Sequence, residues 1–181
     1  MLTKKGAATR ARIVETAADL VLDRGVGGTS LDDIREGTRT SKSQLFHYFP
    51  GGKSELVEAI AAFQAERVLD AQRPYLDELD TLASWEGWRE AVLAHYRHHL
   101  ACPISALTAE QGVDVRAHTD RWYAYLEAGT RRMGIEDDTA LAIFAALQGG
   151  LLLMKAEHDI RPLEAALDGA MVILRAAAPS P

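Results

Sequence analysis

Apolar residues recur at a spacing close to 3.6 along nearly the whole chain, and no segment alternates convincingly as a strand. The pattern therefore specifies an all-α fold. Ile13, Ala17, Leu20 and Val21 mark a first helix over roughly Ala8 to Arg24, with Gly25 placed as its C-terminal stop. Further stripes run through Leu56, Ile60, Phe63 and Arg67; Trp85, Trp88, Val92, Tyr96 and His99; and Val115, Trp122, Tyr125 and Gly129. Two more follow at Leu141, Phe144, Gln148 and Leu152, and at Leu163, Leu167, Ala170 and Leu174. Breaks fall at Pro50-Gly51-Gly52, near Pro74, at Cys102-Pro103, at Gly112, at Gly134 and at Arg161-Pro162. About nine helices follow, without internal repeats.

A chain of 181 residues suits one domain, or one domain with a small appendage. Its only cysteine, Cys102, rules out a disulfide framework or a multi-cysteine zinc site within the chain. Met1-Leu2-Thr3-Lys4-Lys5-Gly6 opens no apolar run, so the expected location is cytoplasmic. The uncharged stretch Thr139 to Met154 is interrupted by Gln148 and is shorter than the roughly 20 apolar residues of a bilayer span. It reads as a buried helix, and no membrane partner is expected. Net charge is -6, but unevenly spread: Met1 to Lys53 holds nine Lys/Arg against six Asp/Glu, and the remainder eleven against twenty. A polyanion would be met by the head alone.

Within that head, Ser30-Leu31-Asp32-Asp33 and Ser41-Lys42-Ser43-Gln44 are two helix-start signals eleven residues apart. They predict helices over about Leu31 to Thr38 and Lys42 to Phe49, joined by a short turn: helix-turn-helix geometry. Leu45 and Phe49 share a face that can pack inward, while Lys42, Ser43, Gln44, His47 and, at the edge, Tyr48 face outward. Gln can bond an adenine edge, Ser either base type, and Lys or His guanine or phosphate. Tyr48 and Lys53 better suit phosphates, and Gly51-Gly52 leave room for an anion at the next helix start. The same caps and aromatics also describe a plain helical hairpin.

"TSKSQLFHYFPGGKSEL", preceded by "RARIVETAADLVLDRGVGGTSLDDI", resembles the DNA-binding domain of the TetR family of bacterial transcriptional regulators. The likeness is strong over Thr9 to Ile60 and weak to the end of the chain. It implies a helix-turn-helix domain over 1–52, an effector-binding and dimerisation domain over 53–181, a double-stranded DNA operator as partner, and no enzymatic activity. The family usually places Gly in the turn where this chain has Arg39, so either the second helix stops at Gly37 or Arg39 is strained; Arg39 also suits phosphate. Phe46 stands where Tyr is frequent and fits either a thymine methyl or the core.

For the body the resemblance implies a homodimer through the last two long helices, enclosing a pocket for an apolar or aromatic effector. Gly149, Gly150, Ala165, Ala166, Gly169 and Ala170 permit close helix approach, though apolar helix faces are usually just core. His95, Tyr96, His99, Cys102, Trp122, Tyr125, Phe144 and Met154 are candidate lining residues, each equally at home in a core. His95, His99 and Cys102 have partial metal spacing, which keeps a metal-sensing regulator as an alternative; without a completing carboxylate, no metal or other cofactor is assigned. A helical dimer that binds protein partners without DNA is the other alternative. No Glu-x-x-His pair, glycine-rich phosphate loop or catalytic cysteine context supports an enzyme.

Overall fold

The computed structural model describes residues 3–97, 100, 115–136 and 138–179. Among the described residues there are eight helices and no strands: α1 (Lys4–Arg24), α2 (Leu31–Thr38), α3 (Lys42–Tyr48), α4 (Lys53–Leu76), α5 (Leu82–Tyr96), α6 (Val115–Arg132), α7 (Thr139–Glu157) and α8 (Arg161–Ala177). Two of the expected breaks, Cys102-Pro103 and Gly112, lie outside the described residues. The helix class is as the periodicity specified, with two boundary differences. α1 begins four residues earlier than the apolar pattern, because Thr3 caps it by accepting from the Gly6 amide. α4 continues through Pro74 to Leu76.

The chain divides into two compact units. One runs to Arg67 and includes the start of α6; the other holds the residues from Val68 and the rest of α6 onward. α4 thus contributes Lys53–Arg67 to the first and Val68–Leu76 to the second. In the first unit, Ile13, Ala17 and Val21 of α1 meet Ile34, Leu45, Phe49, Leu56 and Ile60 in a single buried cluster. Gly25 ends α1 with φ 72°, a backbone that suits glycine.

In the second unit α7 and α8 form a helical hairpin, and α8 also packs on α5. A Cβ added at Gly150 would come within 2.8 Å of the Ala166 side chain, so this glycine lets the two helices approach within the chain. Ala170 is buried there as well. Gly149 and Gly169 instead face open space. α7 is apolar and long enough to cross a membrane by length and composition, but Ile143, Leu147, Leu151 and Met154 bury one face of it in the core.

Candidate nucleic-acid interface

The helix-turn-helix is built from its caps inward. Ser30 Oγ accepts from the Asp33 amide at 3.1 Å, and Asp33 Oδ2 accepts from the Ser30 amide at 2.8 Å. The Ser30 hydroxyl and amide, helped by Arg24, hold the Asp33 carboxyl below its ordinary range. Ser41 and Gln44 repeat the device at α3: Ser41 Oγ accepts from the Gln44 amide at 3.1 Å, and Gln44 Oε1 accepts from the Ser41 amide at 3.0 Å. These reciprocal bonds fix where both short helices begin, α3 included despite its seven residues.

The turn between them resolves the question posed by Arg39. α2 runs its full length to Thr38, and Arg39 takes φ 53° and ψ 38°, the left-handed region. The Arg39 amide donates to Glu36 O and the Thr40 amide to Arg35 O, both at 3.1 Å, closing the helix end. Gly37 lies inside α2, two residues before the turn. A Cβ there would sit 3.3 Å from Leu20 Cδ1, so Gly37 seats α2 against α1. Thr38 and Thr40 are buried on either side, their hydroxyls bonded to each other. Only the Arg39 side chain of the three turns outward.

Lys42, Ser43, Gln44 and His47 are exposed, as the helical spacing indicated; Tyr48 is half-buried, its ring edge-on to His47 at 5.0 Å. Leu45 and Phe49 are core. Among the described residues neither Arg39 nor Lys42 has a carboxylate partner, so both charges are available to an external anion. Phe46 is 41% exposed and lies between Lys42, Ser43 and His47 on the same face. It is one turn from both Lys42 and Ser43, a spacing that could have placed it there from sequence.

Two placements differ from expectation. Lys53 Nζ donates to Val26 O at 2.8 Å, tying the start of α4 to the α1–α2 loop rather than turning toward solvent. The anion corner read into Gly51-Gly52 is occupied internally, since Glu55 Oε2 accepts from the Gly51 amide at 2.8 Å. Gln44 is likewise engaged by its cap, so a bidentate contact to adenine requires its Oε1 to share or release the Ser41 amide. Two α1 residues were not legible from local spacing. Arg12 Nη1 donates to Thr38 O at 2.5 Å, and the Arg10 guanidinium lies 4.7 Å from the Phe49 ring centroid. Each joins α1 to a segment many residues away.

The candidate lining residues of the body differ in burial. Tyr96, Trp122 and Met154 are fully buried, while His95, Tyr125 and Phe144 are half-buried. Trp122 packs edge-on to Phe144 at 6.3 Å, and Tyr125 Oη accepts from Arg73 Nη2 at 3.2 Å. His99 and Cys102 lie outside the described residues. Among the described residues no group of three or more His, Cys, Asp or Glu side chains is placed to hold a metal. A groove of about 490 Å³ between α5 and α8 is lined by Glu86, Gly87, Arg89, Asp168, Met171 and Arg175 among others, and by none of the candidates.

Residues 13–60, from the first core position of α1 to Ile60 of α4, match the family model described as bacterial regulatory proteins, tetR family. This part of the chain is a TetR-family DNA-binding domain. An uncharacterized HTH-type transcriptional regulator of Mycobacterium tuberculosis is 29% identical to this chain, covering 86% of it and 88% of the relative. LmrA of Bacillus subtilis, also an HTH-type transcriptional regulator, is 23% identical over 86% of this chain and 90% of its own. The structure of regulatory protein TetR from Rhodobacter sphaeroides has a TM-score of 0.75 at 15% identity, covering 90% of this chain and 97% of that one. A TetR transcriptional regulator from Chloroflexus aurantiacus gives 0.72 at 24%, with 97% and 98% covered. The TetR fold therefore extends over the body as well as the head, and the chain is a DNA-binding transcriptional regulator rather than an enzyme.

Proposed function

We propose that this regulator is a cytoplasmic repressor that binds a palindromic operator as a homodimer and is released by a small-molecule effector. The division of labour follows the domains: residues 1–52 read DNA, and 53–181 bind the effector and dimerise. The observation that carries the DNA reading is the outward face of α3, where Lys42, Ser43, Phe46 and His47 stand together beside the unpaired Arg39. Ser43 and His47 suit base edges, Gln44 suits adenine from the flank of that face, and Phe46 suits a thymine methyl. Arg39, Lys42 and Tyr48 suit phosphates. Lys53 acts chiefly through its bond to Val26.

A single seven-residue helix reads few bases, so two half-sites about 34–36 Å apart are the usual solution. Support for the dimer comes from an apolar stripe exposed across the α7–α8 hairpin: Leu141, Ala145, Gly149 and Leu152 on α7, with Gly169, Val172 and Ile173 on α8. Leu152 and Val172 are 61% and 63% exposed, and the two outward glycines admit close approach by a second copy. An effector that lowers operator affinity a hundredfold needs about 2.7 kcal/mol of differential binding between two states of the dimer. α4, which contributes to both units, is the element through which such states would differ.

The test is a set of operator-binding isotherms over salt and over single-base variants. Gln44→Ala is expected to cost about 1–3 kcal/mol on the preferred operator and to relax preference at one base pair. Lys42→Ala is expected to weaken all sequences alike and to make the salt slope shallower by about one per half-site. If both variants, folded by circular dichroism, bind as the parent does, α3 is not the reading element.

A further inference from the structure

The interior of the second unit is unusual in what its buried polar groups can do. Gln72 of α4, Trp85 and Trp88 of α5 and Trp122 of α6 are all essentially inaccessible to solvent. Trp88 Nε1 donates to Gln72 Oε1 at 2.9 Å, and the Trp88 ring is edge-on to Trp85 at 5.6 Å, so these three form one contiguous cluster. Trp85 in turn lies against α6 at Gly129, where an added Cβ would meet its ring at 2.9 Å. Trp122 is two turns earlier on α6, on the same helix face as Gly129. The glutamine and the indoles therefore follow the inner side of α4, α5 and α6.

Among the described residues, Gln72 Nε2, Trp85 Nε1 and Trp122 Nε1 have no hydrogen-bond acceptor, and neither has the buried Nε2 of Gln148 on α7. All four are donors. Buried indole and amide N–H groups ordinarily find a partner, because leaving them unpaired is costly. No Lys, Arg, His, Asp or Glu is buried among the described residues. Arg73, the cation on α4 next to Gln72, is partly exposed and already engaged by Tyr125 and Asp70. An ionised carboxylate brought into this interior would meet neutral donors and, among the described residues, no opposite charge, so its larger desolvation cost would be only partly offset. A neutral carbonyl or ether oxygen costs far less to desolvate and satisfies the donors directly.

We propose that the ligand of the body is a neutral, largely apolar molecule bearing carbonyl-type acceptor oxygens, held by the side-chain N–H groups of Gln72, Trp85 and Trp122. This rests on the reading of the body as the effector-binding domain and names the chemical class of that effector. The distinction from a plain hydrocarbon lies in the unpaired donors, and the distinction from an organic acid lies in the lack of a buried cation among the described residues.

The chain has three tryptophans, Trp85, Trp88 and Trp122, all in this interior, so their emission reports on occupancy directly. The full-length protein is titrated with a matched set: 2-decalone, decalin and decahydronaphthalene-2-carboxylate, read by tryptophan emission and by thermal shift. 2-Decalone is expected to bind at least about tenfold more tightly than either of the others. Trp85→Phe and Trp122→Phe keep a ring and delete one donor each. At least one of them is expected to cut the preference for ketone over hydrocarbon about fivefold, the loss of one neutral hydrogen bond, in a protein that still melts cooperatively. Equal binding of ketone and decalin, tightest binding of the carboxylate, no binding by any of the three, or an unchanged preference in both variants overturns the proposal. Operator affinity is measured in parallel. A ketone that binds as described but leaves operator affinity unchanged supports the ligand class and sinks the effector reading instead.

Discussion

Replacing Arg39 by glycine sets the stability of the head against its proposed use. An L-residue in the left-handed region costs about 1–2 kcal/mol, and glycine removes that cost while adding about 0.4–1 kcal/mol of unfolded-chain entropy. The backbone bonds of the turn, from the Arg39 and Thr40 amides, do not depend on the side chain, and among the described residues no partner uses the guanidinium. Arg39→Gly is therefore expected to stabilise the protein by about 0.5–1 kcal/mol, raising the melting temperature by about 1–4 °C for a chain of this size. DNA binding should move the other way. Removing one cation from the phosphates of each half-site makes the salt slope shallower by about 0.9 each. At 0.15 M salt that is roughly fivefold per half-site and about thirtyfold for a dimer on two half-sites.

Two companion variants separate backbone from charge. Arg39→Ala keeps the strain and loses the cation, so it should bind DNA like the glycine variant without its gain in stability. Arg39→Lys keeps both, so its salt slope should match the parent. The assays are thermal melting without DNA and fluorescence anisotropy on an operator fragment over a salt series. A glycine variant that is no more stable than the parent refutes the strain argument. A glycine variant with an unchanged salt slope refutes the phosphate role of Arg39, whatever its stability.

Gly149→Glu, on the outward stripe of α7, should dissociate the dimer in sedimentation while leaving the fold intact, whereas Gly150→Leu should destabilise the chain itself by forcing α7 off Leu163 and Ala166. A parent chain that sediments as a monomer at tens of micromolar ends the dimer model. Lys53→Ala removes the bond to Val26 O and should lower head stability by about 0.5–1.5 kcal/mol with the salt slope unchanged; a shallower slope would return Lys53 to the phosphate-binding set. Leu45→Ala should cost about 2–5 kcal/mol through a cavity between α3 and α1, measured by urea denaturation. Because Asp33 has a depressed folded pKa, its contribution to α2 is fully present above the ordinary carboxylate range and is lost as pH falls through the folded value. An acid titration followed by circular dichroism should therefore show less loss of helix in that low window for Asp33→Asn than for the parent.

The local facts of this protein were legible in its sequence because they are set by neighbours a few residues apart. Ser30 with Asp33 and Ser41 with Gln44 fix two helix starts, Gly25 fixes a helix end, and the spacing of Leu45 and Phe49 fixes the inner face of α3. The same short range reaches the left-handed turn as a choice between Gly37 and Arg39, and there it stops. The folded chain decided between them: α2 keeps its full length to Thr38, with Gly37 close against Leu20 of α1, and Arg39 takes the left-handed backbone. It also decided that Gly150 packs inward and Gly149 outward, and that Lys53 bonds back to Val26. Helical period assigns a residue to a face, but a flexible side chain or an adjacent small residue is committed only by the element that comes to lie against it, and those elements are distant in the chain.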